Sequence, residues 1–245
     1  MKLRVLNSNS DGNCYLLEGK NSTLILECGV RFATVKQALK FDLSRVAGAL
    51  LTHEHGDHSC AVRDFISAGI NIYCSEGTRS CIVAPGHRVK AVEPHKVFQV
   101  GEFSVYPFDV QHDAKQPFGF LIKHPECGSV LFITDSYYVK YKFSGLTHVL
   151  IEANYCEEIV YERMLAGTIN KHVKDRVIQS HMSLQTCKKL LSDNDLRGVA
   201  NIVLLHLSDG NSDAKKFLRE VKEQTGKKVF IAEKGLELPL GETPF

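Results

Sequence analysis

Thr52-His53-Glu54-His55-Gly56-Asp57-His58 follows directly on Val46–Leu51, a continuous apolar run. Such a run suits a strand buried on both faces. Histidines at i and i+2, then Asp and His at i+4 and i+5, therefore fall on a turn at the end of a strand. The strand anchors one side of that turn, and the turn gathers several side chains around a small volume. Gly56 allows the backbone to fold tightly between them. Imidazole and carboxylate are donors that bind zinc, manganese or iron. The bland alternative is a solvated, histidine-rich loop. It would require three of the chain's eleven histidines to fall within six residues by chance. The pattern H-x-H-x-D-H predicts a metal site.

One loop cannot supply all the ligands of a two-metal site, so further donors are expected where other apolar strands stop. Three single residues meet that test: His112 after Phe103–Asp109, Asp135 after Ser129–Thr134, and His206 after Val199–Leu205. Each alone reads more readily as a hydrogen-bonded structural residue; as a set that completes the first run they read as ligands. His87, His95, His124, His148 and His172 lack such positions, and surface or structural roles are expected for them.

Outward from the histidine run, the pattern predicts strands at Leu3–Leu6, Cys14–Glu18 and Thr23–Glu27, parted by turn residues. Further strands are expected at Ile70–Cys74, Arg88–Val92, Gly119–Lys123, Thr147–Ile151 and Lys228–Ala232. Apolar spacing predicts helices over Thr34–Lys40, Ser59–Ala68, Glu157–Ala166, Leu184–Leu191 and Asp213–Gln224. Strands first, then strands alternating with helices, imply an α/β (α+β) architecture of sheets covered by helices. No linker, repeat or low-complexity segment divides the 245 residues, so 1–245 is expected to be one domain.

A formal net charge of +2 gives no general pull toward nucleic acid or membrane, though a local basic groove would not show in the total. No stretch approaches the roughly 20 apolar residues of a membrane span. The start of the chain turns polar too early for a signal peptide. Eight cysteines, none in a C-x-x-C pair, read as free thiols of a cytoplasmic protein.

The order His53, His55, Asp57, His58, His112, Asp135, His206 resembles the metallo-β-lactamase superfamily along essentially the whole chain. The resemblance implies an αββα sandwich, two mixed β-sheets face to face with helices on the outer faces. It also implies two divalent metal ions, zinc foremost and manganese or iron as alternatives. His53, His55 and His112 would hold one ion; Asp57, His58 and His206 would hold the other, with Asp135 bridging. Glu27, in Leu26-Glu27-Cys28-Gly29, stands where the superfamily usually carries Asp.

Ser8–Leu16 with its Gly12-Asn13-Cys14-Tyr15, the stretch Leu150–Tyr155, and Ser180-His181-Met182-Ser183-Leu184 are similar to the small bacterial WalJ/YycJ-like branch. So is His206-Leu207-Ser208 with Asn211. Ser180 and Met182 depart from the Gly and Leu usual there. The branch, related to ribonuclease Z, implies a nuclease, with a DNA exonuclease favoured and DNA or RNA as the partner.

Phosphodiester hydrolysis needs a nucleophile at neutral pH, charge stabilisation and a proton for the leaving oxygen. Two metals about 3.5–4 Å apart supply the first two through a shared water and a clamp on the phosphate. Asp57 would orient that water. By analogy with ribonuclease Z, His181 would be the general acid and Glu152 its orienter. The simpler alternatives are a residue beside the helix cap Ser183 and a structural carboxylate. Arg163, Lys171, Lys174 and Arg176 could grip phosphates, although a solvated helix face is the slightly readier explanation. No interleaving of aromatic and basic residues predicts sequence readout. The competing functions are a hydrolase of small esters, lactones or thioesters at the same dimetal site, and a non-catalytic binding protein. A basic groove beside the metals would favour the nuclease, and a closed apolar pocket would sink it.

Overall fold

The computed structural model describes residues 1–83, 86–169 and 171–241, with the backbone alone described at 171–174 and 176. The chain opens with β1 (Lys2–Asn9), β2 (Gly12–Glu18) and β3 (Thr23–Leu26), paired antiparallel in succession. Helix α1 (Phe32–Ala38) then crosses over to β4 (Val46–Leu50), which lies parallel to β3. Short helices α2 (Gly56–Ser59), α3 (Val62–Ser67) and α4 (Glu76–Cys81) frame β5 (Ile72–Cys74) and lead to β6 (Val89–Ala91).

The second sheet is built from β7 (Phe98–Val100), β8 (Phe103–Asp109), β9 (Phe118–His124) and β10 (Gly128–Ile133), antiparallel in sequence. Strand β11 (His148–Glu152) then pairs parallel to β10. Helices α5 (Glu157–Leu165), α6 (Lys171–Ser180) and α7 (Leu184–Asp193) precede β12 (Asn201–Leu205), and α8 (Ala214–Thr225) precedes β13 (Lys228–Ile231). Finally β14 (Glu237–Pro239) returns to the first sheet beside β1. The sheets run β14-β1-β2-β3-β4-β5-β6 and β13-β12-β11-β10-β9-β8-β7.

Period-two side-chain alternation makes three packed layers from these strands. In β2, Tyr15 and Leu17 turn to the interior between the sheets, where they join Phe118, Phe120 and Phe132 of the second sheet. Their neighbours Cys14 and Leu16 turn outward against Phe32 and Val35 of α1 and Phe65 of α3. In β11, Leu150 faces the intersheet core, whereas Val149 and Ile151 pack outward on Leu184, Cys187, Leu190 and Leu191 of α7. Strands buried on both faces explain the unbroken apolar runs of the sequence. The αββα sandwich of two mixed sheets is as expected.

Several element boundaries differ from the pattern-based reading. The helix expected over Ser59–Ala68 is two helices, the first starting at Gly56 inside the histidine run. Strands β7 and β14, three residues each, and helices α4 and α6 were not expected from the sequence pattern. Helix α7 begins at the expected cap: Ser183 Oγ accepts the Thr186 N–H. Asp213 caps α8 in the same way, accepting from Lys215 and Lys216. All eight cysteines are free. No helix of the described residues is long and apolar enough to cross a membrane.

Candidate metal centre

Strands β3 and β4 run parallel, as do β10, β11 and β12, and two antiparallel steps make β8 parallel to β10. Their C-terminal ends deliver Glu27, His53, His112, Asp135, Glu152 and His206 to one edge of the sandwich. At three of these ends the backbone is left-handed: Glu27 (φ 67°), Asp135 (φ 37°) and His206 (φ 54°). Such conformations cost about 1–3 kcal/mol for a non-glycine residue and persist only where surrounding bonds fix them. Such bonds fix Glu27 and His206. Glu27 N–H donates to Leu50 O at 2.9 Å, and His206 N–H donates to Ser8 Oγ at 2.9 Å. Asn154 Nδ2 donates to His206 O at 2.8 Å.

The side chains fall into two neighbouring groups, within each of which the donor atoms lie close enough to share an ion: His53, His55 and His112, and Asp57, His58, Asp135 and His206. Asp135 stands between them. Its Oδ2 is 4.0 Å from His53 Nε2 and 3.7 Å from His112 Nε2, while its Oδ1 is 3.3 Å from His58 Nε2 and 3.8 Å from His206 Nε2. All seven residues picked from the sequence thus meet in one place. A third set, Asp135, Glu152, His181 and His206, overlaps the second.

The chemistry of the donors fits a metal. His53 Nδ1 is hydrogen-bonded to Thr52 Oγ1 at 2.9 Å, while its buried Nε2 has no hydrogen-bond partner among the described residues. His112 Nδ1 donates to Ser180 O at 2.7 Å, which turns Nε2 into the cluster, 3.1 Å from His55 Nδ1. A ligating histidine is commonly oriented this way, through its other nitrogen. Burial holds His53 and His112 below the usual imidazole range and so keeps them neutral. Burial opposes the charge on Asp57, but hydrogen bonds from His206 and His58 outweigh it and hold the carboxyl well below its usual range. Burial likewise opposes protonation of His58, which the carboxylates of Asp135 and Glu27 nevertheless drive well upward.

Glu27 is buried, with Oε2 3.5 Å from His58 Nδ1 and accepting the Thr52 N–H at 3.4 Å. The longer side chain still reaches the histidine at ion-pair distance, though His58 Nδ1 forms no hydrogen bond among the described residues. Burial raises the pKa of Glu27.

Beside this cluster, His181 Nδ1 lies 2.7 Å from Glu152 Oε1 and 3.7 Å from Asp135 Oδ2. The other oxygen of the fully buried Glu152 accepts the N–H groups of Ser136 at 2.8 Å and Met182 at 3.1 Å. Burial works against a charged imidazole at His181, but the carboxylates of Glu152, Asp135 and Asp113 outweigh it and push its pKa up to about 9. His181 and His206 line a cleft of about 240 Å³ with Ser10, Asn154, Val177, Leu207 and Ser208. The expected pairing of Glu152 with His181 is therefore present in the geometry.

Other expectations fared differently. Arg163 is engaged locally, donating to Asn211 Oδ1 at 2.7 Å and Thr168 O at 3.3 Å. The side chains of Lys171, His172, Lys174 and Arg176 lie outside the described residues. His124 and His148 are buried, His124 against the Phe103 ring.

Sequence reasoning assigned no role to Asn13, which is fully buried. Its Nδ2 lies 3.4 Å from Asp57 Oδ2 and 3.1 Å from His58 Nε2. Tyr15 OH donates to Asn13 Oδ1 at 3.3 Å and is bonded to Ser8 Oγ at 2.7 Å, the same hydroxyl that receives the His206 N–H. The β1–β2 hairpin thereby braces both the Asp57 loop and the strained His206. A polar residue inside an apolar strand was the available signal.

Residues 24–207, well over half of the chain, match the family model described as the beta-lactamase superfamily domain. The chain belongs to that superfamily and is a metallo-β-lactamase-fold hydrolase. Two curated relatives are exodeoxyribonucleases. WalJ of Streptococcus pneumoniae serotype 2 (strain D39 / NCTC 7466) is 26% identical over 229 residues, covering 86% of this chain and 83% of its own. YycJ of Bacillus anthracis is 25% identical over 245 residues, covering 91% and 89%. Among solved structures, the metallo-β-lactamase-fold protein YhfI of Bacillus subtilis superposes with a TM-score of 0.73 at 15% identity, covering 97% of this chain and 99% of its own. The short form of human tRNase Z (ELAC1) gives 0.62 at 16% identity, covering 98% and 99%.

Proposed function

We propose that the protein is a two-metal phosphodiesterase that cleaves nucleic acid, with DNA exonuclease activity the favoured form, and that residues 1–245 act as one catalytic domain in the cytoplasm. The observation that carries this reading is the 2.7 Å pair of His181 and Glu152 beside the central carboxylate Asp135. A sugar oxygen leaves poorly without a proton, and a positioned acid supplies it.

In this reading His53, His55 and His112 would hold one ion, Asp57, His58 and His206 would hold the other, and Asp135 would be shared between them. Zinc comes first, with manganese or iron accepted by the same donors. When bound, the ions supply Lewis acidity and a nucleophile at neutral pH. The protein's own groups do the rest. Asp57, ionised, would orient the attacking water. Glu152, fixed by two backbone N–H groups, holds His181 Nδ1–H and leaves Nε2–H to protonate the departing oxygen. The names of the two curated relatives support DNA as the polymer.

The test incubates metal-loaded protein with 5′- and 3′-labelled single- and double-stranded DNA and RNA, beside Asp57→Ala and His181→Ala. Stepwise loss of nucleotides from one DNA end, abolished by Asp57→Ala, is expected. Hydrolysis of a small ester or lactone with every nucleic acid left intact would overturn the reading.

A further inference from the structure

Two residues beyond Asp135 the chain reads Tyr137-Tyr138-Val139-Lys140-Tyr141-Lys142, three tyrosines and two lysines within six residues. Val139 and Phe143 are buried in the outer core of the second sheet, which pins the segment down. Tyr137 and Tyr138, by contrast, are 41% and 51% exposed. Adjacent tyrosines left in solvent on a pinned segment contribute little to the fold, and their placement asks for another explanation.

Their backbone is held rigid against the metal centre. Tyr137 N–H donates to Gln111 O at 2.9 Å, and Gln111 N–H donates to Ser136 Oγ at 3.2 Å. Ser136 Oγ in turn donates to Tyr138 O at 2.9 Å. The segment is thus tied on one side to Asp135 through the chain and on the other to the residue preceding His112. Beside it opens a groove of about 370 Å³ between Tyr137–Lys142 and helix α7. Lys140, Lys142 and Lys189 line the groove against one acid, Asp193, which already pairs with Lys189 at 3.0 Å. The charge left over is positive.

We propose that Tyr137–Lys142 is a binding platform for single-stranded nucleic acid, with bases stacking on Tyr137 and Tyr138 and Lys140 and Lys142 receiving phosphates. The inference rests on the nuclease reading and extends it by naming the form of the substrate and the surface that holds it. Exposed aromatic faces beside a basic groove are the elements of sequence-tolerant single-strand binding. A duplex keeps its base faces stacked and cannot use the tyrosines; its phosphates alone could meet the lysines. Tyr141 serves the platform from below: its hydroxyl lies 3.3 Å from His95 Nε2, and Lys140 Nζ sits 5.1 Å from its ring centre.

The experiment measures fluorescence anisotropy of labelled oligothymidine of about 20 nucleotides, and of a duplex of equal length, on the full chain carrying Asp57→Ala to prevent cleavage. Tyr137→Ala with Tyr138→Ala should weaken single-strand binding by roughly 10-fold or more. Tyr137→Phe with Tyr138→Phe should retain it. Lys140→Ala with Lys142→Ala should flatten the salt dependence, by about 0.7 in slope for each phosphate no longer neutralised. Melting curves of each variant verify the fold. Where the wild-type chain cleaves DNA, tighter binding to duplex than to oligothymidine, or an unchanged affinity in the double alanine variant, overturns the platform alone. Equal binding to an acidic peptide reduces it to charge and also overturns it. A wild-type chain that cleaves no nucleic acid brings down the nuclease reading, and the platform with it.

Discussion

His181 Nδ1 stands 2.7 Å from Glu152 Oε1, and the second oxygen of Glu152 is held by the backbone N–H groups of Ser136 and Met182. A carboxylate fixed at both oxygens can set the tautomer and direction of an imidazole, as an orienting acid does for a catalytic histidine. Replacing His181 by Ala should leave metal content unchanged while lowering turnover of DNA about 10²- to 10⁴-fold. An activated aryl phosphodiester, whose leaving group needs no proton, should lose far less. Equal losses on both substrates, measured as kcat, would remove the acid role.

The charge on this imidazole gives a pH signature. Burial opposes it, but Glu152 and its acidic neighbours raise the folded pKa to about 9, above the unfolded value of about 6.5. A raised histidine stabilises the fold fully below the unfolded value, and the contribution is lost as pH rises through about 9. The shift corresponds to on the order of 3 kcal/mol in the metal-free protein. Glu152→Gln should bring the His181 titration, followed by NMR, down toward the ordinary range. The melting temperature of that variant should fall furthest below wild type near pH 6 and least near pH 10. A gap that widens with rising pH would contradict the sign.

Asn13 touches the centre through Asp57 and His58 without belonging to the proposed ligand set. Asn13→Ala should weaken metal binding by roughly 10- to 100-fold, the range seen for residues that orient ligands. Titration calorimetry with zinc reads this directly, and Asn13→Asp, which places an acceptor where a donor is needed, should not rescue it. Unchanged affinity in Asn13→Ala would reduce the residue to packing.

Phe132 is fully buried between the sheets and meets the Tyr15 ring edge-on at 5.6 Å. Phe132→Ala should cost about 3–5 kcal/mol in denaturant unfolding. It should also loosen the hairpin that braces Ser8 and Asn13, so metal affinity should fall with stability. A destabilisation below about 1 kcal/mol would show that the site end of the core is poorly packed.

The sequence was most legible where chemistry and strand ends coincide. His53, His55, Asp57 and His58 share one turn, and His112, Asp135 and His206 each close an apolar run, so their meeting followed from the strands being parallel. Strands β7 and β14 were illegible, since three residues offer no period to read, whereas the equally short β5 and β6 lay inside longer apolar or β-branched stretches. Asn13 and Ser8 were opaque for another reason. Their roles depend on which hairpin end lies beside Asp57 and His206, a relation that register sets and local pattern does not. Glu27 could be located but not interpreted, since only the structure places its carboxylate 3.5 Å from His58 Nδ1. Tyr137 and Tyr138 carried no signal in the sequence, because their exposure of 41% and 51% is set by tertiary packing.

A two-metal centre bridged by Asp135 underlies every functional role proposed for this chain, and metal stoichiometry with site occupancy tests it most directly. Anomalous diffraction at the zinc edge, with mass-spectrometric metal counting on wild type and Asp135→Ala, would locate each ion. Two ions per chain are expected in wild type, one among His53, His55 and His112 and one among Asp57, His58 and His206, with Asp135 between them. Asp135→Ala should lose at least one. A single ion in wild type, or ions seated away from these residues, would contradict the bridged centre.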